Sequence, residues 1–322
     1  MRRSEPTART PLSMSTRVNP THVALEELIA LSAVAHGASL ARSKRSPALR
    51  SGGHASRWRG RGVDFRESRI YLPGDEIRHM DWRVTARSGK PHTKVFQEER
   101  EQGLLLVMDM NPGMRFGTRV RFKNVQAARA AALLAWMSAA GGDRIGALGF
   151  GGGISGEVKP AGGRRGVLRV LRALRDWDAT ADPERTDPLS LGLARVRRLL
   201  RPGMRMILLT DGFSADAEAA QLLPQLAGRH EISVVLLRDA LELAAPPPGR
   251  YALHLGAARR VLDFGDASVR SAWTRRFADA RERLRSECQK VGVRVLDLDG
   301  HADLRRALAP LLARTRHSTS AA

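Results

Sequence analysis

The sequence predicts an α/β protein built on a mostly parallel sheet flanked by helices, with a further segment attached at its N-terminal side. Two short runs dominated by apolar residues, Leu104–Asp109 and Met204–Thr210, have the composition of strands that are buried on both faces. Stretches of helical length and periodicity alternate with these and with further short apolar runs. Such alternation favours parallel strands joined by right-handed crossovers, here six strands with the two apolar runs adjacent at the centre.

The individual elements follow from apolar periodicity and from the residues that begin or end them. Asn19-Pro20-Thr21 opens the first helix, Gly141-Gly142 ends a long one, and Pro73-Gly74-Asp75 marks a turn. Residues 239–265 are rich in proline and then turn-like. The predicted helices cover residues 23–34, 120–140, 167–177, 189–200, 215–227, 268–291 and 302–314, and the predicted strands cover residues 93–99, 104–109, 144–150, 157–159, 204–210, 232–237 and 294–298.

Composition divides the chain into four parts. Residues 1–20 and 315–322 are predicted to be disordered tails, and residues 103–314 to form the main α/β domain. Residues 21–102 are expected to form a helix and a charged, aromatic segment that packs on the main domain. No stretch approaches the roughly 18 uncharged apolar residues of a membrane-spanning helix, so direct membrane insertion is not expected.

The net charge of +21 raises the question of nucleic-acid binding. Of the 54 basic residues 48 are arginine, a bias that a GC-rich genome also produces, and no arm or helix concentrates the charge. Nucleic-acid binding is therefore kept only as a secondary alternative. The single cysteine, Cys288, can form neither an internal disulfide nor a CxxC metal site, which agrees with a reducing, cytoplasmic compartment.

Residues 60–87 mix five carboxylates and many arginines with large apolar side chains such as Phe65, Tyr71, Met80 and Trp82. A solvated charge run would lack the apolar residues, and a core element would lack the charges. The mixture predicts a segment folded onto another surface through guanidinium–carboxylate pairs, with Trp82 and Tyr71 as anchors. An ordinary surface loop is the alternative.

Two predicted strands end at acidic residues, Asp109 and Asp211. Because ligands of an open parallel sheet meet the carboxyl ends of its strands, both side chains should lie at one edge, within about 8 Å of each other. Such a pair could share a hard cation such as Mg²⁺. Equally, the two aspartates could cap the turns that follow them.

The run Asp109-Met110-Asn111-Pro112-Gly113-Met114, followed much later by Thr210-Asp211-Gly212, resembles the von Willebrand factor A fold. In that fold a DxSxS loop, a threonine from another loop and a later aspartate form a metal-ion-dependent adhesion site. Upstream and downstream motifs resemble the bacterial family called domain of unknown function 58. These motifs are Gly52-Gly53-His54, Gly60-Arg61-Gly62, Phe65-Arg66-Glu67, Tyr71-Leu72-Pro73-Gly74-Asp75, Asp81-Trp82-Arg83, Ala86-Arg87, Met114-Arg115-Phe116-Gly117, Gly142-Asp143-Arg144-Ile145-Gly146 and Asp239-Ala240-Leu241-Glu242.

The chain departs from the adhesion motif at two positions. Asn111 and Gly113 stand in place of the two serines, so one possible ligand is an amide oxygen and the other is lost. Thr186 is the best candidate for the loop threonine, and Thr180 competes with it. The resemblance thus implies a degenerate site of Asp109, Asn111, Thr186 and Asp211, with Mg²⁺ bound in the millimolar range or not at all.

The family resemblance implies a non-enzymatic adaptor that works with a MoxR-type AAA+ ATPase, and with other co-encoded von Willebrand factor A proteins, in protein assembly, maturation or metal insertion. A cytoplasmic location is expected, with any contact to the inner membrane made through partners. The alternative is a metal-dependent phosphoesterase that uses the strand-end aspartates, although no water-activating base is evident. The residues expected to dock the partner are Arg66, Glu67, Tyr71, Pro73, Gly74, Asp75, Arg78, Asp81, Trp82, Arg83 and Arg87.

Overall fold

A computed structural model describes residues 19–35, 63–73, 75–98, 103–255 and 258–312, with the backbone alone at 63–67, 95–98, 254, 255, 258 and 312. Apart from Asn19 and Pro20, the predicted tails lie outside the described residues, as does Gly74. The chain divides into two compact units. The smaller unit comprises residues 44–102, and the main unit comprises residues 1–43 and 103–322.

The secondary structure follows the predicted alternation. The described helices are α1 (Leu25–Ala35), α2 (Trp82–Ser88), α3 (Lys123–Ala140), α4 (Gly163–Thr180), α5 (Leu189–Leu199), α6 (Ala217–Ala227), α7 (Ala240–Leu243), α8 (Ala267–Lys290) and α9 (Leu304–Leu312). The described strands are β1 (Val63–Ile70), β2 (His92–Glu98), β3 (Gly103–Asp109), β4 (Arg144–Phe150), β5 (Glu157–Ala161), β6 (Met204–Thr210), β7 (Glu231–Arg238), β8 (Arg250–Leu255), β9 (Ala258–Asp263) and β10 (Arg294–Asp299).

Six strands of the main unit form one sheet in the order β10-β7-β6-β3-β4-β5. All neighbours are parallel except β5, which runs antiparallel to β4 at one edge. Strands β3 and β6 are adjacent at the centre, paired from Gly103 opposite Met204 to Met108 opposite Leu209. The predicted fold class, a mostly parallel sheet of the von Willebrand factor A type flanked by helices, is confirmed.

Alternate residues of the central strands supply two apolar layers, one on each face of the sheet. Leu104 and Leu106 of β3 point into the layer formed with α1, α3, α4 and α9. Leu105 and Val107 point into the layer formed with α5, α6 and α8. Burial on both faces explains why the sequence of β3 is continuously apolar rather than alternating.

Helix α1 belongs to the main unit, whereas the sequence grouped it with the segment that follows it. Its Leu28 and Leu31 are buried in the same apolar layer as α3 and α4. The Trp136 indole N–H of α3 donates to the carbonyl oxygen of Leu28 at 3.0 Å. Packing against residues more than one hundred positions away therefore decides the assignment of this helix.

The region predicted as turn-like contains an antiparallel hairpin of β8 and β9. Phe264, immediately after β9, is almost fully buried and makes edge-to-face contacts with Tyr251 of β8 and Trp273 of α8. Aromatic contacts with a helix that comes later in the chain thus accompany the hairpin, and local sequence pattern does not record them. In the part of the chain that the structure describes, no helix is both long and apolar enough to cross a bilayer.

The smaller unit is a two-stranded antiparallel ribbon of β1 and β2 with the short helix α2 between the strands in sequence. Asp81 caps α2 by accepting a hydrogen bond from the Val84 N–H at 3.2 Å, and Gly89 ends the helix in a left-handed conformation with φ of 67°. Trp82, expected to be a buried anchor, is 67% exposed. It occupies the first position of α2 directly after the cap, and that position leaves its ring largely in solvent.

Candidate functional site

The two strand-end aspartates lie at the same edge of the sheet, as expected. Asp109 is the last residue of β3, and Asp211 directly follows the neighbouring parallel strand β6. Both are buried. Burial, together with the negative charge of Asp211, raises the pKa of Asp109 to about 6.

Protein groups donate to both oxygens of the Asp109 carboxylate. Oδ2 accepts from the Thr210 hydroxyl and from the Ser214 hydroxyl, each at 2.7 Å. Oδ1 accepts from the Asn111 backbone N–H at 3.0 Å and from its side-chain Nδ2 at 2.8 Å. Asp109 is therefore engaged in holding the loops at the strand ends together.

Asn111 lies at the site, but its amide oxygen, expected to be a metal ligand, accepts a hydrogen bond from backbone instead. Its Oδ1 accepts from the Asp187 backbone N–H at 2.8 Å, and its Nδ2 donates to the Asp187 carbonyl oxygen at 3.0 Å as well as to Asp109. Because a backbone N–H can only donate, these contacts determine which amide atom is oxygen. The oxygen expected to be a metal ligand is used to hold the loop of residue 187.

Neither candidate for the loop threonine supplies a hydroxyl to the strand-end carboxylates. Thr186 is exposed, and its neighbour Asp187 is the residue that enters the site. The Thr180 hydroxyl, at the end of α4, donates to the Asp176 carbonyl oxygen at 2.8 Å. The hydroxyls on Asp109 come from Thr210 and Ser214 instead, and the adjacency of β3 and β6 brings them there.

A lysine that the sequence analysis did not single out completes the site. The ammonium of Lys123, the first residue of α3, lies 2.9 Å from Asp211 Oδ2 and also forms an ion pair with Glu242 Oε1. All three side chains are almost fully buried. Two signals pointed to this group: Lys123 is one of only six lysines in an arginine-rich chain, and Glu242 belongs to a motif that carries the family resemblance.

The ionised form of Lys123 is favoured by its surroundings. Burial alone would lower the pKa of the ammonium, but attraction to Asp211 and Glu242 outweighs this, and the pKa lies above its ordinary value. The rings of Phe116 and Phe213 each have their centroid 5.9 Å from Nζ, within the range of a cation–π contact.

The residues present do not fit a divalent cation. Gly113 stands where the adhesion motif has a serine, and a Cβ at this position would lie 2.7 Å from Asp211 Oδ2. A serine here would therefore collide with the carboxylate, and the Lys123 ammonium already contacts that same oxygen. Within the described residues, no three carboxylate, imidazole or thiol side chains converge as a metal-binding group.

The residues expected to dock a partner lie in the smaller unit, where some of them form ion pairs and others are exposed. Arg69 Nη2 lies 2.7 Å from Asp75 Oδ1, and Arg78 makes a two-point contact with Glu76 at 2.5 and 2.8 Å. Tyr71 is half-buried and Pro73 is exposed, whereas the side chains of Arg66 and Glu67 lie outside the described atoms.

Asp81, expected to dock a partner, is instead a buried structural residue. It accepts from the Ser68 hydroxyl at 2.7 Å in addition to capping α2. The hydrogen bond from Ser68 and the one from the Val84 backbone hold the pKa of Asp81 below its usual value. Arg83 and Arg87 are exposed on α2, and neither has an ion-pair partner among the described side chains.

The sheet order, with β3 and β6 adjacent at the centre, defines the class of protein, a von Willebrand factor A-like α/β protein. The chain belongs to the family described as protein of unknown function DUF58, whose sequence model matches residues 67–283. This confirms the resemblance read from the motifs. The family description assigns no activity.

Among curated proteins, the chain is 30% identical over 263 residues to the uncharacterized proteins Rv1480 of Mycobacterium tuberculosis and Mb1516 of Mycobacterium bovis. The match covers 80% of this chain and 82% of each relative. The similarity therefore extends over most of both proteins.

Among solved structures, the chain is similar to BatB from Bacteroides thetaiotaomicron, with a TM-score of 0.40 at 12% identity, covering 66% of this chain and 97% of that one. An aerotolerance-related membrane protein from Bacteroides fragilis gives 0.39 at 12% identity, over 66% and 98% of the two chains. A von Willebrand factor type A protein from Catenulispora acidiphila gives 0.35 at 12% identity, over 68% and 43%.

Proposed function

We propose that this protein is a non-enzymatic adaptor whose smaller unit docks a partner protein, and that the partner is a MoxR-type AAA+ ATPase encoded beside it. The observation that carries the proposal is the exposure of large apolar side chains on the smaller unit. Ile70, Leu72, Ile77 and Trp82 are each more than half exposed. Exposed apolar groups gathered in one small unit are typical of a protein-binding surface.

The architecture of the smaller unit supports this proposal. A two-stranded ribbon is marginally stable by itself, because it has no second layer on which to bury its side chains. Of the described side chains in this unit, Asp81 and Thr93 are the ones that are buried, and both are polar. A partner that covers the apolar residues would stabilise the ribbon and gain binding free energy from the same contacts.

The exposed arginines of α2 indicate what charge the partner's surface carries. Arg83 and Arg87 are four residues apart on this helix, so they project on the same side, and both are exposed. Neither guanidinium has an ion-pair partner among the described side chains. Such groups are well suited to an acidic surface, which they can contact through two parallel hydrogen bonds. We therefore assign the ATPase an acidic docking surface, with Trp82 contacting an apolar patch beside it.

The state of the strand-end site supports a non-enzymatic role. Hydrolysis by a metal-dependent phosphoesterase needs open metal coordination and a base that activates water. Asp109 accepts hydrogen bonds from protein donors on both oxygens, and Asp211 is paired with Lys123. A cytoplasmic location, with any membrane contact made through partners such as co-encoded von Willebrand factor A proteins, belongs to the same proposal.

The test is a binding measurement between the full chain and the co-encoded ATPase by biolayer interferometry. Trp82→Ser and the double variant Arg83→Glu/Arg87→Glu should each weaken binding at least about tenfold, the effect of removing a central contact of an interface. Their melting temperatures should stay near wild type, because the altered side chains are exposed.

The matched control is Arg197→Glu/Arg198→Glu, which makes the same change of charge at two exposed arginines on α5 of the main unit. Binding by this control should equal that of wild type. Equal loss in the control and in the α2 variant would mean that net charge, rather than the α2 surface, drives binding. Undiminished binding by Trp82→Ser and by the α2 charge variant would refute the docking assignment.

A further inference from the structure

The cation at the strand-end site belongs to the chain itself. Lys123 Nζ lies 2.9 Å from Asp211 Oδ2 and is also paired with Glu242 Oε1. Each of the three side chains is 2% exposed. One positive charge is thus shared between two buried carboxylates, one from the loop after β6 and one from α7, as a bound divalent ion could also share them.

The position of Lys123 in its helix makes these contacts necessary. It is the first residue of α3, and the amino end of a helix carries a partial positive charge that disfavours a further cation. A buried ammonium without partners would also lose its hydration. The two carboxylates offset both effects, so the lysine and the acids depend on one another.

The second oxygen of each carboxylate is bonded to backbone. Asp211 Oδ1 accepts from the Phe213 N–H at 3.1 Å, and Glu242 Oε2 accepts from the Asp239 N–H at 3.0 Å in the capping box of α7. The ammonium therefore joins three elements: the start of α3, the loop after β6, and α7. A metal ion at this sheet edge would connect strand-end loops in the same manner.

The space around the pair is closed. Gly113 approaches Asp211 so closely that even a methyl group could not be accommodated without a shift, since a Cβ would lie 2.7 Å from Oδ2. Phe116 and Phe213 stand over the ammonium with ring centroids at 5.9 Å. A hydrated divalent ion would have to displace the lysine to reach the carboxylates.

We infer that Lys123 is a resident cation, which takes the structural and electrostatic place that a divalent metal ion has in the adhesion site of this fold. The strand-end loops are held together without a metal. This inference concerns the main unit and is independent of the partner proposed above, so each can fail without the other.

The first test uses the wild-type chain in thermal melts after chelation with EDTA and then with Mg²⁺ or Mn²⁺ added. The melting temperature should be the same in all three conditions, because the cation is covalently part of the chain. A saturable, stoichiometric rise with either metal that EDTA reverses would overturn the inference.

The second test replaces the lysine by a small residue. Lys123→Ser leaves Asp211 and Glu242 without a cation, and the melting temperature in EDTA should fall by roughly 10 °C, as for an orphaned buried charge in a unit of this size. Mn²⁺ should then raise the melting temperature saturably, since two carboxylates and water can bind a hard cation in the vacated space.

The matched control is Arg205→Ser, which removes a different buried cation of the main unit, one paired with the carboxylate of Asp143 at 2.8 Å. This variant should also be destabilised, but Mn²⁺ should not restore it beyond its effect on wild type. Equal restoration of both variants, or no restoration of Lys123→Ser, would contradict the inference.

If Lys123→Ser does not fold, the neutral variant Lys123→Met/Asp211→Asn/Glu242→Gln decides the question. Replacing all partners of a buried ionic group by neutral residues leaves no orphaned charge and is commonly tolerated. We expect this variant to melt well above Lys123→Met alone and to show no response to metal. If Lys123→Met alone is as stable as wild type, the ammonium has no structural part and the inference is wrong.

Discussion

At the scale of single residues, burial and long-range contacts decide how the titratable groups behave. Asp109, Asp81 and Cys288 illustrate this. Asp109 is buried beside another carboxylate, and its pKa is raised. Asp81 accepts hydrogen bonds from Ser68 and from backbone, and its pKa is lowered. Cys288 of α8 is buried in the apolar cluster on one face of the sheet, and burial raises the pKa of its thiol to about 11.

The raised pKa of Asp109 predicts a specific dependence of stability on pH. The folded chain binds the proton more tightly than the unfolded chain, with a pKa of about 6 against an ordinary value of 3.8. The resulting contribution to the free energy of unfolding, about 3 kcal/mol, is fully present below about pH 4 and is lost as the pH rises through about 6.

Asp109→Asn removes this titration while keeping a side chain that can bond to the hydroxyls of Thr210 and Ser214. Chemical denaturation between pH 4 and pH 7 should show a gain in stability of the variant relative to wild type as the pH rises. Glu218→Gln, at an exposed acidic position on α6, serves as the control and should follow the wild-type profile. A variant profile parallel to wild type would show that Asp109 is ionised throughout.

The thiol of Cys288 should be unreactive in the folded chain. With a pKa of about 11, roughly one thiol in a thousand is ionised at pH 8, and the thiolate is the reactive form. Iodoacetamide should label the native chain very slowly at pH 8 and the urea-unfolded chain rapidly. Because the chain has one cysteine, intact mass reports this site alone. Complete labelling of native protein within minutes would contradict the burial of this residue.

At the scale of elements, the strands that were predicted correctly are those whose burial shows directly in their own sequence. The sequence-predicted bounds of β4 and β6 coincide with the structure because their apolar composition directly reflects burial on both faces. The β8–β9 hairpin was read as turns because most of its described side chains are exposed, and because the contact of Phe264 with Trp273 of α8 is not visible in local sequence. Helix α2, with seven residues, is too short to show helical periodicity.

The aromatic contacts predict that Phe264 holds the hairpin. Phe264→Ala removes a fully buried ring and should lower stability by about 3–5 kcal/mol, as for other core aromatic truncations. Backbone amides of β8 and β9 should lose protection in hydrogen exchange, whereas those of β3 should change only with global stability. The control Val261→Ala alters a half-exposed side chain of β9 and should have little effect. Unchanged protection of the hairpin in Phe264→Ala would show that β8 and β9 hold without the aromatic contacts.

At the scale of the whole molecule, the two units differ in how much apolar surface they bury. Every residue of the two core clusters comes from residues 23–35 or 104–311, which belong to the main unit. Among the described side chains of the smaller unit, Ile70, Leu72, Ile77 and Trp82 are exposed. The main unit therefore has the core that cooperative folding requires, and the described part of the smaller unit contributes nothing to that core.

This division predicts that the main unit is stable without the smaller one. Replacing residues 45–101 by a flexible Gly/Ser linker should leave a single cooperative thermal transition within a few degrees of wild type, since the core clusters are retained. The same variant should lose binding to the co-encoded ATPase. A control that replaces the side chains of Ile70, Leu72 and Ile77 by serine should keep the transition and also weaken binding. Loss of cooperative unfolding in the linker variant would show that the main core depends on residues 45–101.

The sequence by itself determined the fold class, the two central strands, the pair of strand-end aspartates and the family. Local composition predicts these features. A strand that is buried on both faces must be apolar along its length, and parallel strands bring their carboxyl ends to one edge of the sheet. Only the tertiary structure decided what the aspartates contact. Lys123 is 88 positions from Asp211 and 119 from Glu242, so no local pattern marks them as partners. They meet because the sheet and α3 bring their loops together, and burial makes their charges depend on each other.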